Sequence, residues 1–129
     1  MNTASLELCQ ELYELSGWDA VPLKWFEDRH SHNNMGFFVS EASSSSSIRF
    51  VSPAYECGYL LRALPSEYRS GDVKGYLALD RSGINLEVWS AGYMYFGDHI
   101  EELEKVQVTP ENALCELAIT LFKEGVLKR

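Results

Sequence analysis

Three stretches of the chain place apolar residues at helical spacing. Leu8, Leu12 and Leu15 share one stripe with Leu6, Cys9 and Tyr13, which predicts a helix over residues 5–16. Thr3 or Ser5 can cap its start and Gly17 can stop it. In the second stretch Cys57, Leu60, Leu61 and Leu64 form the stripe. Ser52 reads there as the N-cap, Pro53 as the first helical residue and Pro65 as the end. The third repeats this grammar. Thr109 caps, Pro110 opens, Glu111 suits the positive end of the helix, and Leu114, Leu117, Ala118, Leu121 and Phe122 form the apolar face. Gly125 weakens or ends it.

Shorter apolar runs lie between these stretches. Gly36-Phe37-Phe38-Val39 and Ile48-Arg49-Phe50-Val51 read as two strands, joined through a serine-rich loop at 41–47 that offers nothing to pack. Trp18, Trp25 and Phe26 precede them as aromatic anchors. Tyr76 to Asp80 and Ile84 to Ser90 read as a hairpin across Arg81-Ser82-Gly83, since Ile84, Leu86 and Val88 alternate with Asn85, Glu87 and Trp89. Residues 91–96 extend that strand or start another, while 66–74 and 97–108 are polar. The expected fold is a single α+β domain over 1–129. Its small antiparallel sheet of three to five strands is packed by three helices, in the order α-β-β-α-β-β(-β)-α.

Composition narrows the class. Hydrophobic residues make up 46% and charged residues 23%, so the chain can bury a core. Eleven Lys and Arg stand against 19 Asp and Glu, a net charge of −8 that repels nucleic-acid phosphates and favours solubility or a basic protein partner. No apolar run suits a membrane span, and Met1 to Gln10 lacks the basic-then-apolar signal-peptide pattern. Cys9, Cys57 and Cys115 are an odd set without zinc-like spacing, so neither disulfides nor a zinc site are expected. Each falls on an apolar helix stripe, where a thiol packs rather than reacts.

Several segments together carry a resemblance. They are Glu11-Leu12-Tyr13-Glu14-Leu15-Ser16-Gly17-Trp18, the run from Ser52-Pro53-Ala54-Tyr55 to Ala63-Leu64-Pro65, Trp89-Ser90-Ala91-Gly92-Tyr93, and Thr109-Pro110-Glu111-Asn112-Ala113-Leu114-Cys115 leading into Ala118 to Leu127. The chain resembles a group of short, uncharacterised proteins encoded in tailed bacteriophages and prophages. The resemblance covers the elements but not the serine run or the acidic stretch before Thr109. It implies a phage origin and a shared fold; with no signal-peptide pattern, span or disulfide framework, the expected location is the bacterial host cytoplasm. It supplies no catalytic residue.

Candidate chemistry is sparse. His30 and His32 would project to one side of an extended segment, with Asp28 adding an oxygen and His99 arriving from elsewhere, which is the best metal candidate. A polar surface loop is the plainer reading. Glu7, Glu11 and Glu14 form an acidic stripe that could join Glu101, Glu102 and Glu104 in one surface for a basic partner; a solvated helix face is the plainer reading. Trp89, Tyr93 and Tyr95 could form an aromatic interface, or belong to the core. Phosphate-loop, dinucleotide and serine-hydrolase motifs are absent from the sequence. The expectation is a non-enzymatic phage accessory protein that binds a host protein, in its most specific form a component of a defence system. It uses no cofactor and contacts neither nucleic acid nor membrane. The alternatives are a self-associating structural or assembly protein, and a metal-binding enzyme centred on His30, His32 and Asp28.

Overall fold

In a computed structural model of the chain, the structure describes residues 2–29, 36–42, 47–84 and 86–129. Helix α1 spans Leu6–Ser16, α2 Cys57–Ala63 and α3 Pro110–Lys123. Strands β1 (Lys24–Asp28), β2 (Phe37–Ser40) and β3 (Ile48–Pro53) form one antiparallel sheet in the order β2-β1-β3. A second antiparallel sheet runs β4 (Glu67–Ser70), β5 (Val73–Ser82), β6 (Val88–Tyr95), β7 (Asp98–His99), and β8 (Lys105–Gln107) also pairs with β6. A 3-10 turn at Glu101–Leu103 links β7 to β8. The chain is therefore α+β as its pattern predicts, with two sheets sharing the strands. Among the described residues no helix is long and apolar enough to cross a membrane.

The long helices start and stop where their cap residues say. The Ser5 hydroxyl accepts from the Leu8 N–H at 3.4 Å, and Gly17 ends α1 at φ +69°, where only a residue without Cβ is unstrained. At the head of α3 the Thr109 hydroxyl accepts from the Asn112 N–H at 3.2 Å, with Pro110 in the first turn. Replacing Thr109 by alanine is expected to lower the unfolding free energy by about 1 kcal/mol, read as a shifted urea midpoint at unchanged slope. No change in midpoint would show that this cap contributes nothing.

The centre of the molecule is α3, which packs against α1, α2, β6 and β8. It buries Leu114, Leu117 and Leu121 together with Ala113, Cys115 and Ala118. Cys9 and Cys115 lie in this core as expected, but Cys57 opens α2 and is only partly buried. Hydrogen-bonded to Cys9 and shut away from water, the Cys115 thiol is pushed far above the usual thiol range and stays protonated.

Four sequence expectations need correction. Ser52 and Pro53 do not start α2. They pair with Trp25 and Lys24 as the end of β3, and the Ser52 hydroxyl donates to the Pro53 carbonyl at 2.8 Å. Residues 54–56 are then held extended, because the Ala54 N–H donates to the Leu23 carbonyl and the Tyr55 carbonyl accepts from Ala4. Long-range pairing here overrides good cap chemistry. Leu61 is 39% exposed and so leaves the buried stripe of α2. Ile84 and Leu86 do not belong to a strand: β6 begins at Val88, and both side chains are exposed in the hairpin loop, with Leu86 at φ +56°. The polar stretches 66–74 and 97–108 are not merely loops, since β4, β7 and β8 form within them. The serine run at 43–46 lies outside the described residues.

Candidate binding cleft

An open cleft of about 600 Å³ lies where the two sheets meet the head of α3, and its volume suits a small ligand or a side chain. Trp25 and Val39 face it from the first sheet, and Trp89 from the second. Residues 2–5 form one rim. Val108, Thr109, Pro110, Glu111 and Asn112 form the floor.

Both the rim and the floor are pinned. The Ser5 N–H donates to Asn112 Oδ1 at 2.7 Å, tying the N-terminal segment onto α3. The Ala4 N–H donates to the Tyr55 carbonyl at 2.9 Å, tying it to the segment before α2. Trp25 lies on the central strand β1, paired with Val39 on one side and Ser52 on the other. Its indole N–H is buried toward the Cys9 thiol and meets no oxygen or nitrogen acceptor. Trp89 carries the Arg81 guanidinium over its ring at 5.5 Å, a cation–π contact across the β5–β6 pair.

Glu111 is the one ionisable side chain among the described residues that line the cleft. It is only 5% exposed. No Lys, Arg or His among the described residues lies within ion-pair distance of it. Burial pushes its carboxyl above the usual carboxylate range, and a hydrogen bond to its own backbone N–H opposes the rise. Burial also raises the neighbouring Cys57 thiol, and the charge of Glu111 raises it further.

The residues singled out from sequence are dispersed. Glu7 and Glu14 are exposed on α1, whereas Glu11 is held by Lys123 at 2.7 Å. Glu101 and Glu102 are exposed in the turn after β7, at the edge of the second sheet. Glu104 faces His99 Nε2 at 3.3 Å, and Asp80 faces the same nitrogen at 3.6 Å. The six glutamates therefore do not make one free acidic surface: α1 packs on α3 and β3, and two of the six are already paired. His99 belongs to the second sheet and Asp28 to the first, and His30 and His32 lie outside the described residues. Among the described residues no group of three His, Cys, Asp or Glu side chains could hold a metal ion.

The aromatic trio divides by depth. Trp89 lines the cleft and Tyr95 is 40% exposed, but Tyr93 is fully buried and cannot face a partner. Tyr93 belongs to the buried core cluster, its ring against Tyr68 and its hydroxyl on the Pro65 carbonyl, whereas Trp89 and Tyr95 stand nearer the ends of β6. Sequence reasoning missed Trp25 and Glu111 as cleft residues. Proline and glutamate after a threonine cap signal a helix start, and nothing local signals that the carboxylate will be covered. No protein-family model, curated protein or solved structure matches the chain.

Proposed function

We propose that this chain is a non-enzymatic accessory protein of a phage or prophage that acts in the host cytoplasm by binding a host protein, and that the cleft between the sheets is where it binds. The observation that carries this reading is the cleft itself. It is open, walled by two tryptophans, and its N-terminal rim is tied by hydrogen bonds to α3 and to the segment before α2. Rigid aromatic anchors beside a pocket are the features around which protein interfaces concentrate their energy. Interference with a component of a bacterial defence system is the most specific form of the proposal. The net charge of −8 favours a basic partner.

Immobilised protein, exposed to lysate of the bacterium that carries the gene, tests this reading. Partners are identified by mass spectrometry and their capture compared with a Trp89→Ala variant. Loss of an anchor of this kind is expected to reduce capture about tenfold or more. A second variant, Glu7→Lys with Glu14→Lys, alters the exposed face of α1 and is expected to bind nearly as well. Equal capture by wild type and Trp89→Ala would remove the cleft from the proposal.

A second reading, self-association, is favoured by one feature. The turn between β6 and β7 holds Phe96 at φ +49° and 91% exposed, its ring 4.6 Å from that of Tyr95. An exposed aromatic in a strained backbone position suits an assembly contact. Light scattering that shows only monomer across micromolar concentrations would dismiss it.

A further inference from the structure

We infer that the cleft receives a cationic side chain, lysine or arginine, from a protein partner, seated against Trp25 and Trp89 with Glu111 as its counter-ion. This rests on the proposal above that the cleft is the binding site, and it names the chemistry of the occupant. Three observations point the same way. Glu111 is a carboxylate that is 95% buried, on its 5% exposure, at the floor of an open cleft, and it faces no cation among the described residues. Burial penalises its charge, and a bound cation would relieve that penalty. The walls are indole rings, the aromatic surface that attracts cations most strongly, and Trp89 already holds the Arg81 guanidinium on its ring.

An anionic occupant fits poorly. The head of a helix normally invites an anion, since its macrodipole amounts to roughly half a positive charge. Here that demand is met from within: the Thr109 hydroxyl takes the Asn112 N–H, and the Glu111 carboxyl takes its own N–H. No Lys, Arg or His lines the cleft among the described residues, and its one ionisable lining group is a carboxyl. An uncharged apolar occupant could pack against Val39 and the tryptophans, but would cover the Glu111 carboxyl without giving it a partner.

The test uses the whole chain and four capped tripeptides, Gly-X-Gly, with X as lysine, arginine, norleucine or glutamate. Binding is followed by NMR at the indole N–H signals. Trp18 packs against Tyr59 and Phe122 and does not line the cleft, so its signal is an internal reference. The lysine and arginine peptides are expected to shift the Trp25 and Trp89 signals saturably, and to bind at least about tenfold more tightly than norleucine, with glutamate weakest. In Glu111→Gln the lysine peptide should lose about tenfold in affinity and norleucine should not change. In wild type, added salt should weaken the lysine peptide and leave norleucine unaffected, an arm that does not depend on the variant folding. Norleucine or glutamate binding as well as lysine at the Trp25 and Trp89 signals would overturn the cationic occupant while leaving the cleft as the binding site. No shift of those signals with any peptide would overturn both readings.

Discussion

Replacing Tyr93 by alanine is expected to lower the unfolding free energy by about 3–5 kcal/mol, the range for removing a large aromatic side chain from a core. The ring is fully buried and packs at a tilt against Tyr68, with centroids 5.6 Å apart. Its hydroxyl donates to the Pro65 carbonyl at 2.7 Å, joining β6 to the end of the α2 segment. Burial pushes that hydroxyl's pKa up to about 12, so it remains a donor throughout the neutral range. The backbone beneath cannot close the gap easily, because Gly75 already brings β5 tight against the Tyr93 Cβ. Tyr93→Phe separates the two contributions. It keeps the ring and leaves the Pro65 carbonyl without its donor, at a cost of about 1–3 kcal/mol. Tyr95→Ala, two residues further along the same strand, should move stability by no more than about 0.5 kcal/mol, as an exposed position does. Urea unfolding of the three variants measures this. Equal losses at positions 93 and 95 would mean that Tyr93 is not in the core.

The second large effect is expected at Leu117, where alanine should cost about 2–5 kcal/mol. Leu117 is fully buried in the cluster that also holds Leu12, Leu60 and Tyr93, residues drawn from α1, α2 and β6. A cavity there has walls on separate elements, which relax only partly into it. Leu61→Ala is the matched control: the same atoms are removed from a side chain that is 39% exposed, and the loss should be well under half as large. Guanidinium melts would decide the matter. Similar losses at both positions would refute the assignment of α3 as the element on which the rest of the protein packs.

The contrast between Tyr93 and Tyr95 shows where sequence reading works and where it fails. Helices α1 and α3 are legible because cap, stripe and stop are local: Ser5 with Gly17, and Thr109 with Pro110, act within a turn of the residues they affect. Helix α2 is legible in its body and not in its start, because Ala4, Leu23 and Trp25, far away in sequence, hold residues 52–56 extended. Strand depth is less legible still. Alternation places Trp89, Tyr93 and Tyr95 on one side of β6, and contacts with distant segments, such as Pro65 and Tyr68 at Tyr93, decide which of them is covered. The cleft was hidden for the same reason. Trp25, Trp89 and Glu111 are widely spaced in sequence, and each has an ordinary local explanation as anchor, strand aromatic or helix-start carboxylate. Their juxtaposition comes from two sheets meeting one helix terminus.

Among the described residues the order β2-β1-β3 gives β2 one partner strand, and its composition gives that position a further meaning. On the other sheet β4, which pairs with β5 alone among the described residues, carries Glu67 and Arg69, charges that deter a second molecule from adding a strand. Strand β2 reads Phe-Phe-Val-Ser, without a charge or a proline, and Phe37 is 45% exposed. Short, uncharged, aromatic strands of this kind template cross-β pairing when they come free. The first sheet, which holds one wall of the cleft, is thus also where the chain is least guarded against aggregation, and a single lysine at position 37 is the simplest gatekeeper to add.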